Sequence, residues 1–444
     1  MTRSALRRRL AWQRGVAALT VVMVLFFVMA LVAAYTNRNL VFEQRVSANS
    51  YRATRALEAA DAGVEWTLAM LNGGRATANC NVPGAGAAAG LTDFRSRYLV
   101  PALDPATGEQ SAFELAWGQV AANRVYPACI IVNGVPRCIC PAVGEAPADI
   151  NAPADGIGSA FRITFRLFHG GNVVRGGAVQ FVSRGCSSPG GGGTSCFAQN
   201  DNLPQVDGTT SVITTVGLVR ALPVAPKAAI TAGTTITAIP PAQLLVSNGD
   251  FASGVTAHAG GLIDAVGSQF IGPAGSGADG RIPNDATLNA LSTVQGAEAW
   301  FRAMFVLDTA TYQRQPAVVR VNCAAGCTSA DITNALLLNP RNPIWAAGNV
   351  NIDAAGALGT AADPMMLIVD GDLTVSGNAD IRGFVHANQV SWTAADAELD
   401  GAIVALTDFA ATGVATVRYD KAILDIIRLR YGSFVRVPGG WNLF

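Results

Sequence analysis

Lysine is almost missing from this 444-residue chain: Lys227 and Lys421 are the only two. Histidine stops at His169, His258 and His386, and charged residues make up 14% of the chain against 50% hydrophobic. The formal net charge is zero, and no basic patch stands out beyond the N-terminus. That balance excludes a disordered polyelectrolyte and argues against a nucleic-acid partner. There is no H-E-x-x-H, no G-x-S-x-G elbow and no P-loop, and neither lysine follows a Gly-rich turn that could cradle phosphate. Cysteine is absent from the first 79 residues. All eight follow: Cys80, Cys129, Cys138, Cys140, Cys186, Cys196, Cys323 and Cys327. An even count behind an apolar segment suits disulfides in an oxidising compartment. Cys138-Ile-Cys140 and Cys323-x3-Cys327 do not make matched C-x2-C hooks, which disfavours zinc. The short loops Cys186–Cys196 and Cys323–Cys327 are the first pairings expected, leaving the other four to pair among themselves.

What is present begins at the N-terminus. Residues 1–15 carry Arg3, Arg7, Arg8, Arg9 and Arg14 and no acid. Val16 to Tyr35 then runs without a charge, VAALTVVMVLFFVMALVAAY, and as a helix covers about 30 Å, the thickness of a bilayer's hydrocarbon. The basic flank keeps the N-terminus cytoplasmic and sends the rest outward. An ordinary signal peptide cut near Val32-Ala33-Ala34 would have a shorter apolar core. A plain signal anchor is the second reading. A third uses Arg14-Gly15: a leader clipped after the glycine, with the apolar helix kept. The next segment, residues 36–72, favours the third. It has no proline and one interior glycine, Gly63. Leu40, Val46, Leu57, Val64, Leu68 and Leu71 recur at mixed three- and four-residue steps before the stop Asn72-Gly73-Gly74. Span and extension together give about 57 helical residues, roughly 85 Å. A plain anchor has no use for the extension.

Gln13-Arg14-Gly15, the Ala/Leu/Val helix and the block Glu58-Ala59-Ala60-Asp61-Ala62-Gly63-Val64-Glu65 resemble the N-terminal region of PilX-type type IV pilus assembly proteins. The resemblance implies cleavage by a prepilin peptidase after Gly15, with Val16 as an N-methylated first residue. Most major pilins carry Glu at the fifth mature position, where it neutralises a neighbour's free amine in the apolar filament core. Here that position is Thr20. An unpaired charge in such a core costs several kcal/mol, so a subunit without the acid fits best at a filament tip.

Residues 75–125 are Ala/Gly-rich and irregular and read as a linker or a variable loop. Arg124–Cys140 reads as a hairpin through Asn133-Gly134, and Phe161–Arg184 as strands around Gly170-Gly171-Asn172. Gly185–Ser195 reads as a flexible loop. After residue 226 short Val/Ile/Leu strands alternate with Gly, Asn and Asp turns, interrupted by a helix over Asp285–Leu307 with Trp300, Phe301, Phe305 and Leu307 buried. Residues 379–385 and 397–403 superpose at 18-residue spacing, and Gly348–Ile352 resembles Gly371–Val375. Such repeats suggest two to four coils of a β-solenoid. Leu367–Val385 and Val437–Trp441 also resemble the ends of longer PilX-type proteins.

The expected fold class is α+β: a long N-terminal transmembrane and amphipathic helix, an antiparallel pilin-like sheet, and a C-terminal Gly-rich β-solenoid-like region. Its parts are a leader over 1–15, the helix over 16–72, a pilin-like β region over 73–226 and the β-rich region over 227–444. No catalytic site and no cofactor are expected. Asp353, Asp363, Asp370 and Asp372 cluster in sequence; Asp370 and Asp372 could contribute to a calcium site, although acids beside glycine are ordinary turn formers. His169 and His258 read as loop residues, and His386 as a strand residue facing either side. Phe26-Phe27 and Trp300-Phe301 read as packing residues. The function expected is a minor pilin that primes or caps a type IV pilus and supports attachment and motility. Its partners would be the prepilin peptidase, other minor pilins, the major pilin, a tip adhesin and the inner membrane, but no nucleic acid. Its location would be the inner membrane with the C-terminal part in the periplasm, then the extracellular pilus. The alternatives are a K-type-like minor pseudopilin of type II secretion and an anchored carbohydrate-active β-helix enzyme. The enzyme would need paired carboxylates on one coil face, and Asp380 and Glu398, with Arg382 nearby, occupy equivalent repeat positions.

Overall fold

The computed structural model describes residues 5–81, 91–102, 112–117, 123–144, 158–170, 173–190, 196, 208–275 and 279–443, with backbone alone for 5–15, 112, 167–170 and 173–176. Helix α1 runs unbroken from Ala5 to Asn72, 68 residues, roughly 100 Å. It ends where the Asn-Gly-Gly stop predicts. From Val16 to Thr54 every residue is exposed, and burial begins only at Arg55 and Ala56. A long apolar helix followed by a mostly β protein is therefore the plan of the molecule.

The docked end of α1 lies on a six-stranded antiparallel sheet. In spatial order its strands are Gly432–Leu443, Thr209–Arg220, Val173–Cys186, Ser159–Gly170, Ala128–Val132 and Val135–Ile139. The last two form a hairpin across Asn133-Gly134, both with positive φ, as a tight two-residue turn requires. Gly171 and Asn172, the centre of the other expected turn, lie outside the described residues, as do residues 191–195 of the expected loop. Gly185 belongs to a strand instead. Residues 75–125 are not merely a linker. They include α2, Phe94–Tyr98, capped by Asp93, and a strand pair, Leu99–Ala102 with Ala112–Leu115. Phe94, Tyr98, Phe113 and Trp117 from this segment join Val64, Phe161, Phe165 and Phe181 in one core. Composition hides these anchors among small residues, but burying each aromatic stabilises the layer by roughly 2–3 kcal/mol.

The C-terminal region is a seventeen-stranded, wholly parallel sheet that wraps into a nearly closed, barrel-like form. Successive passes of the chain stack in three columns. Column one runs through the strands at Arg281–Ile282, Val255–Ala259, Ala228–Ala232, Ala397–Ala405, Ala379–Ala387, Met365–Val369, Ile344–Ile352 and Val319–Thr328. This stack is taller than the two to four coils expected, because strands without a visible repeat also stack. Each inward row is apolar: Ile230, Ile403, Val385, Leu367 and Ile344 share one register, and Val246, Val417, Leu399, Ile381 and Leu358 another. Both sequence repeats are neighbouring rungs, with Ile381 opposite Leu399 and Val350 opposite Leu373. Gly383 and Gly401, shared by the 18-residue repeat, sit where the chain passes from one column to the next. Their φ values are +154° and +140°, and a Cβ at either would lie 1.8 Å from a carbonyl oxygen of the next rung.

The path is not a simple progression. The chain enters in mid-stack at Ala228–Ala232, adds one coil outward, then crosses by way of α3 (Val294–Phe305) and α4 (Thr309–Tyr312) to Val319–Thr328 at the far end. It coils back until Ile403 pairs with Ile230. Helix α5, Ser329–Leu338, places Ile332 in the interior core at that far end. The helix expected over Asp285–Leu307 is shorter: Asp285 caps a turn through Thr287, and Thr293 is the N-cap of α3. Phe301 and Phe305 are buried as expected, with Met304, while Trp300 and Leu307 pack at the edge. They cover the outer face of column one together with α6, Lys421–Arg430. The final strand, Gly432–Leu443, then leaves the region expected over 227–444 and completes the antiparallel sheet.

Candidate functional site

The feature that sets this protein apart is α1 and the seat that holds it. On the free half, the large apolar side chains from Val16 to Tyr35 are between 50% and 74% exposed, including Phe26 and Phe27. Among the described residues this is the helix long and apolar enough to cross a membrane. Leu40 and Val46, expected to belong to an amphipathic stripe, are also exposed. Thr20 turns its hydroxyl back to the helix, donating to the carbonyl oxygens of Ala17 at 2.9 Å and Val16 at 3.3 Å. That bond satisfies the hydroxyl without a charge or an outside partner. Gly15 lies within the continuous helix, and Val16 is exposed.

On the docked half the acidic block acquires a physical meaning. Ala56, Ala59, Ala60, Gly63, Val64 and Thr67 are buried against the sheet, whereas Glu58, Asp61 and Glu65 face solvent. The small residues let helix and sheet approach closely. A Cβ at Gly63 would lie 2.2 Å from Ser183 Oγ, and one at Gly185 would lie 2.0 Å from the Ala56 carbonyl oxygen. Ser183 Oγ donates to the Ala60 carbonyl at 2.7 Å. Glu65 on the solvent side pairs with Arg436 at 2.5 Å, tying the helix to the last strand.

Asn72, read from sequence only as a stop, is the knot of the structure. Its side chain donates to the Phe434 carbonyl at 2.9 Å and accepts from the Phe434 amide at 2.7 Å. Its own carbonyl accepts from Asn342 Nδ2 at 2.9 Å, and the same amide donates to Ala317 at 2.8 Å. One helix terminus thus joins both sheets, and its otherwise orphan carbonyl is satisfied. Arg95 from α2 reinforces it, donating to the Leu71 carbonyl and, at 2.7 Å, to the Gly432 carbonyl. Burial lowers the Arg95 pKa to about 10, with Asp93 opposing the shift, so the guanidinium remains charged at neutral pH. No sequence signal distinguishes Arg95 or Asn342; their roles depend on contacts distant in the chain.

The remaining sequence-predicted residues are dispersed. The cysteines pair as Cys80–Cys140, Cys129–Cys138, Cys186–Cys196 and Cys323–Cys327. Three of these bonds lie in the helix-bearing layer and one in the parallel stack. Among the described residues no three His, Cys, Asp or Glu side chains converge as a metal site. Asp372 accepts from Asn388 at 2.9 Å, Asp363 from Arg341 at 2.9 Å, and Asp353 from the Ser329 amide at 3.1 Å, while Asp370 lies exposed beside Gly371. Asp380 and Glu398 do stand on adjacent rungs. They belong to a ladder in which Arg382 bridges Asp380 and Asp400, and Arg418 bridges Glu398 and Asp400. The bond from Arg418 depresses the Glu398 pKa, opposite to the shift a general acid needs. Nothing in that ladder is positive evidence of catalysis. His169 lies in the strand Ser159–Gly170. His258 is also a strand residue, and its Nε2 meets Asp285 at 2.8 Å. Bonds from Thr287 and then His258 hold the Asp285 carboxyl down at about 2. His386 faces outward from the stack, buried between Phe301 and Phe305.

An exposed apolar helix seated by its far end on a β protein suggests a membrane-anchored subunit. Residues 14–65 match the family model described as PilX N-terminal, and with the long apolar helix that match fits a PilX-type pilin. The matched segment ends within the docked half of α1. PilX proteins are pilus components not known as enzymes, and the match suggests a minor pilin of a type IV pilus. No curated protein and no solved structure matches the chain.

Proposed function

We propose that this protein is a minor pilin that primes or caps type IV pilus assembly at the filament tip. The observation carrying this reading is the split in α1: Val16–Thr54 is bare, while the same helix is locked in place from Arg55 to Asn72. A bare apolar rod of this length first lies in the inner membrane, with the β region in the periplasm. It then moves into a bundle of similar rods in the extracellular pilus. Prepilin peptidase removes residues 1–15 after Gly15, and Val16 becomes the methylated first residue. Thr20 carries no acid for a subunit beyond it, which supports a leading position. Partners are the other minor pilins, the major pilin below and a tip adhesin above, and the process serves attachment and twitching motility without a cofactor. In this reading the six-stranded antiparallel layer is the pilin sheet and the stacked parallel coils are a β-solenoid displayed beyond it.

The test is the mature N-terminus. Mass spectrometry of protein recovered from sheared pili should find a chain starting at methylated Val16, and Gly15→Ala should leave the leader attached and remove the protein from the sheared fraction. A native chain that keeps residues 1–15, or one trimmed near Ala34 and released as a soluble species, overturns the proposal.

A further inference from the structure

Helix α1 carries charge of opposite sign on two opposite faces. At about 100° of turn per residue, Arg38 and Arg45 lie within about 20° of one another, and so do Glu58 and Glu65, with Asp61 about 60° from Glu58. The two stripes stand about 200° apart around the helix. All five side chains are exposed. Among the described residues Arg38, Arg45, Glu58 and Asp61 have no ion-pair partner, and Glu65 remains 70% exposed beside Arg436. Anchoring at a bilayer surface accounts for Arg38, three residues past Tyr35. It does not account for Arg45, about 10 Å further along the axis. The seat accounts for neither, because burial begins only at Arg55.

The two stripes are matched in spacing. Arg38 and Arg45 are seven residues apart, as are Glu58 and Glu65, and each arginine precedes its counterpart by the same twenty residues. Twenty residues of helix rise about 30 Å. Two parallel copies with their basic faces together set Arg38 against Arg38, like against like. In register with basic face to acidic face, they offer only Arg45 against Glu43. Displaced by about 30 Å, they bring Arg38 to Glu58 and Arg45 to Glu65 at once. Between packed rods each pair is a charge-assisted hydrogen bond, and any other register leaves an arginine unmatched among apolar side chains. We propose that a second copy of this chain packs along α1, parallel to the first and about 30 Å nearer its N-terminal end, with the Glu58 and Glu65 carboxylates of that copy against Arg38 and Arg45 of the leading one. The proposal rests on the filament reading and adds to it a partner and a stagger. Rods in one bilayer share a level, so the contact forms only once they leave it. It is head-to-tail: Glu58 and Asp61 of the leading copy face nothing ahead, in keeping with a leading position.

Cross-linking of full-length chains in cells that assemble pili tests it. Arg38→Cys and Glu58→Cys are produced together, the pili are sheared, and a short bis-maleimide is added. The mixture should yield a linked dimer of this chain, and neither variant alone should. A dimer from Arg38→Cys alone marks a pair in register, and no dimer from the mixture marks a different pilin as the neighbour; either overturns the proposal. Charge reversal reads the same contact without a linker. Arg38→Glu and Glu58→Arg, both on exposed helix, should each lower the amount of protein in the sheared fraction about tenfold, and the two combined should restore it. Failure of the combination to restore it overturns the pairing. The mature N-terminus of the same sheared material separates the two readings. If methylated Val16 is found without the linked dimer, the stagger falls and the filament reading stands; if the protein is missing from the pili, both fall.

Discussion

The helix-bearing layer and the parallel stack solve the same problem by different means. The antiparallel layer is stitched: three disulfides, a helix pressed onto glycine gaps, and an asparagine knot hold strands that pair across long stretches of chain. The stack needs little stitching, because each coil repeats the register of its neighbour and adds another row to a continuous apolar interior. It carries a single disulfide at one end. Stitching makes a rigid seat for α1, whereas stacking makes a body whose integrity depends on every rung fitting the next.

Breaking one rung should therefore have the largest effect. Gly383→Val forces a Cβ onto the Met365 carbonyl at a positive φ and should cost about 4 kcal/mol or more. Limited proteolysis should then find the stack cleaved while the helix-bearing layer retains its disulfides. Reduction should show the opposite bias. Closing a short loop by a disulfide is worth about 2–4 kcal/mol, and three of the four bonds lie in the layer. Reductant should thus expose amides of Ala128–Ile139 and Ser159–Cys186 in hydrogen exchange before those of Ala379–Ala405.

Acid should discriminate the two regions next. The folded pKa of His386 is pushed from 6.5 to about 4 by burial. The unfolded chain therefore binds a proton that the folded chain refuses, and this group's contribution to stability is fully present above pH 6.5 and lost as the pH falls toward 4. The loss amounts to roughly 3 kcal/mol. Denaturant titrations at pH 7 and pH 4 should show it in wild type, and His386→Phe should flatten the difference. Asn342→Ala removes a bond to the Asn72 carbonyl and another to Ala317. It should cost about 2–3 kcal/mol and let the two regions melt separately in calorimetry. At the small end, Glu65→Ala breaks a solvent-exposed pair with Arg436 and should change stability by less than about 1 kcal/mol; a larger drop would make the pair part of the seat.

What could be read from the chain beforehand follows the same division. The 18-residue repeat fell on adjacent rungs because stacking places equivalent residues in register, so a periodic fold writes itself into a periodic sequence. The height of the stack did not show, because strands such as Ile236–Ala238 and Ile263–Ala265 share only small and branched side chains with the repeat. The apolar span and the acidic block were visible because one face of α1 must be greasy or small over many turns. Its partner face was not: Gly185 looked like part of a loop, and nothing near Phe94, Tyr98 or Arg95 marks a core contact made with residues far along the chain. Asn342 lies 270 residues beyond the carbonyl it caps, a distance over which local pattern carries no information. His386 was correctly read as a strand residue, but its side depended on where α3 would land.

The strand Gly432–Leu443 ends a route that began at α1, and its Phe434 meets Asn72 across 362 residues. The seat of the helix is thus unfinished until the chain between them has been made and its last strand has paired. A copy misfolded before that strand pairs would hold α1 less firmly. On the proposed pilin reading, this topology ties entry into a filament to subunits whose far end has already closed on the helix.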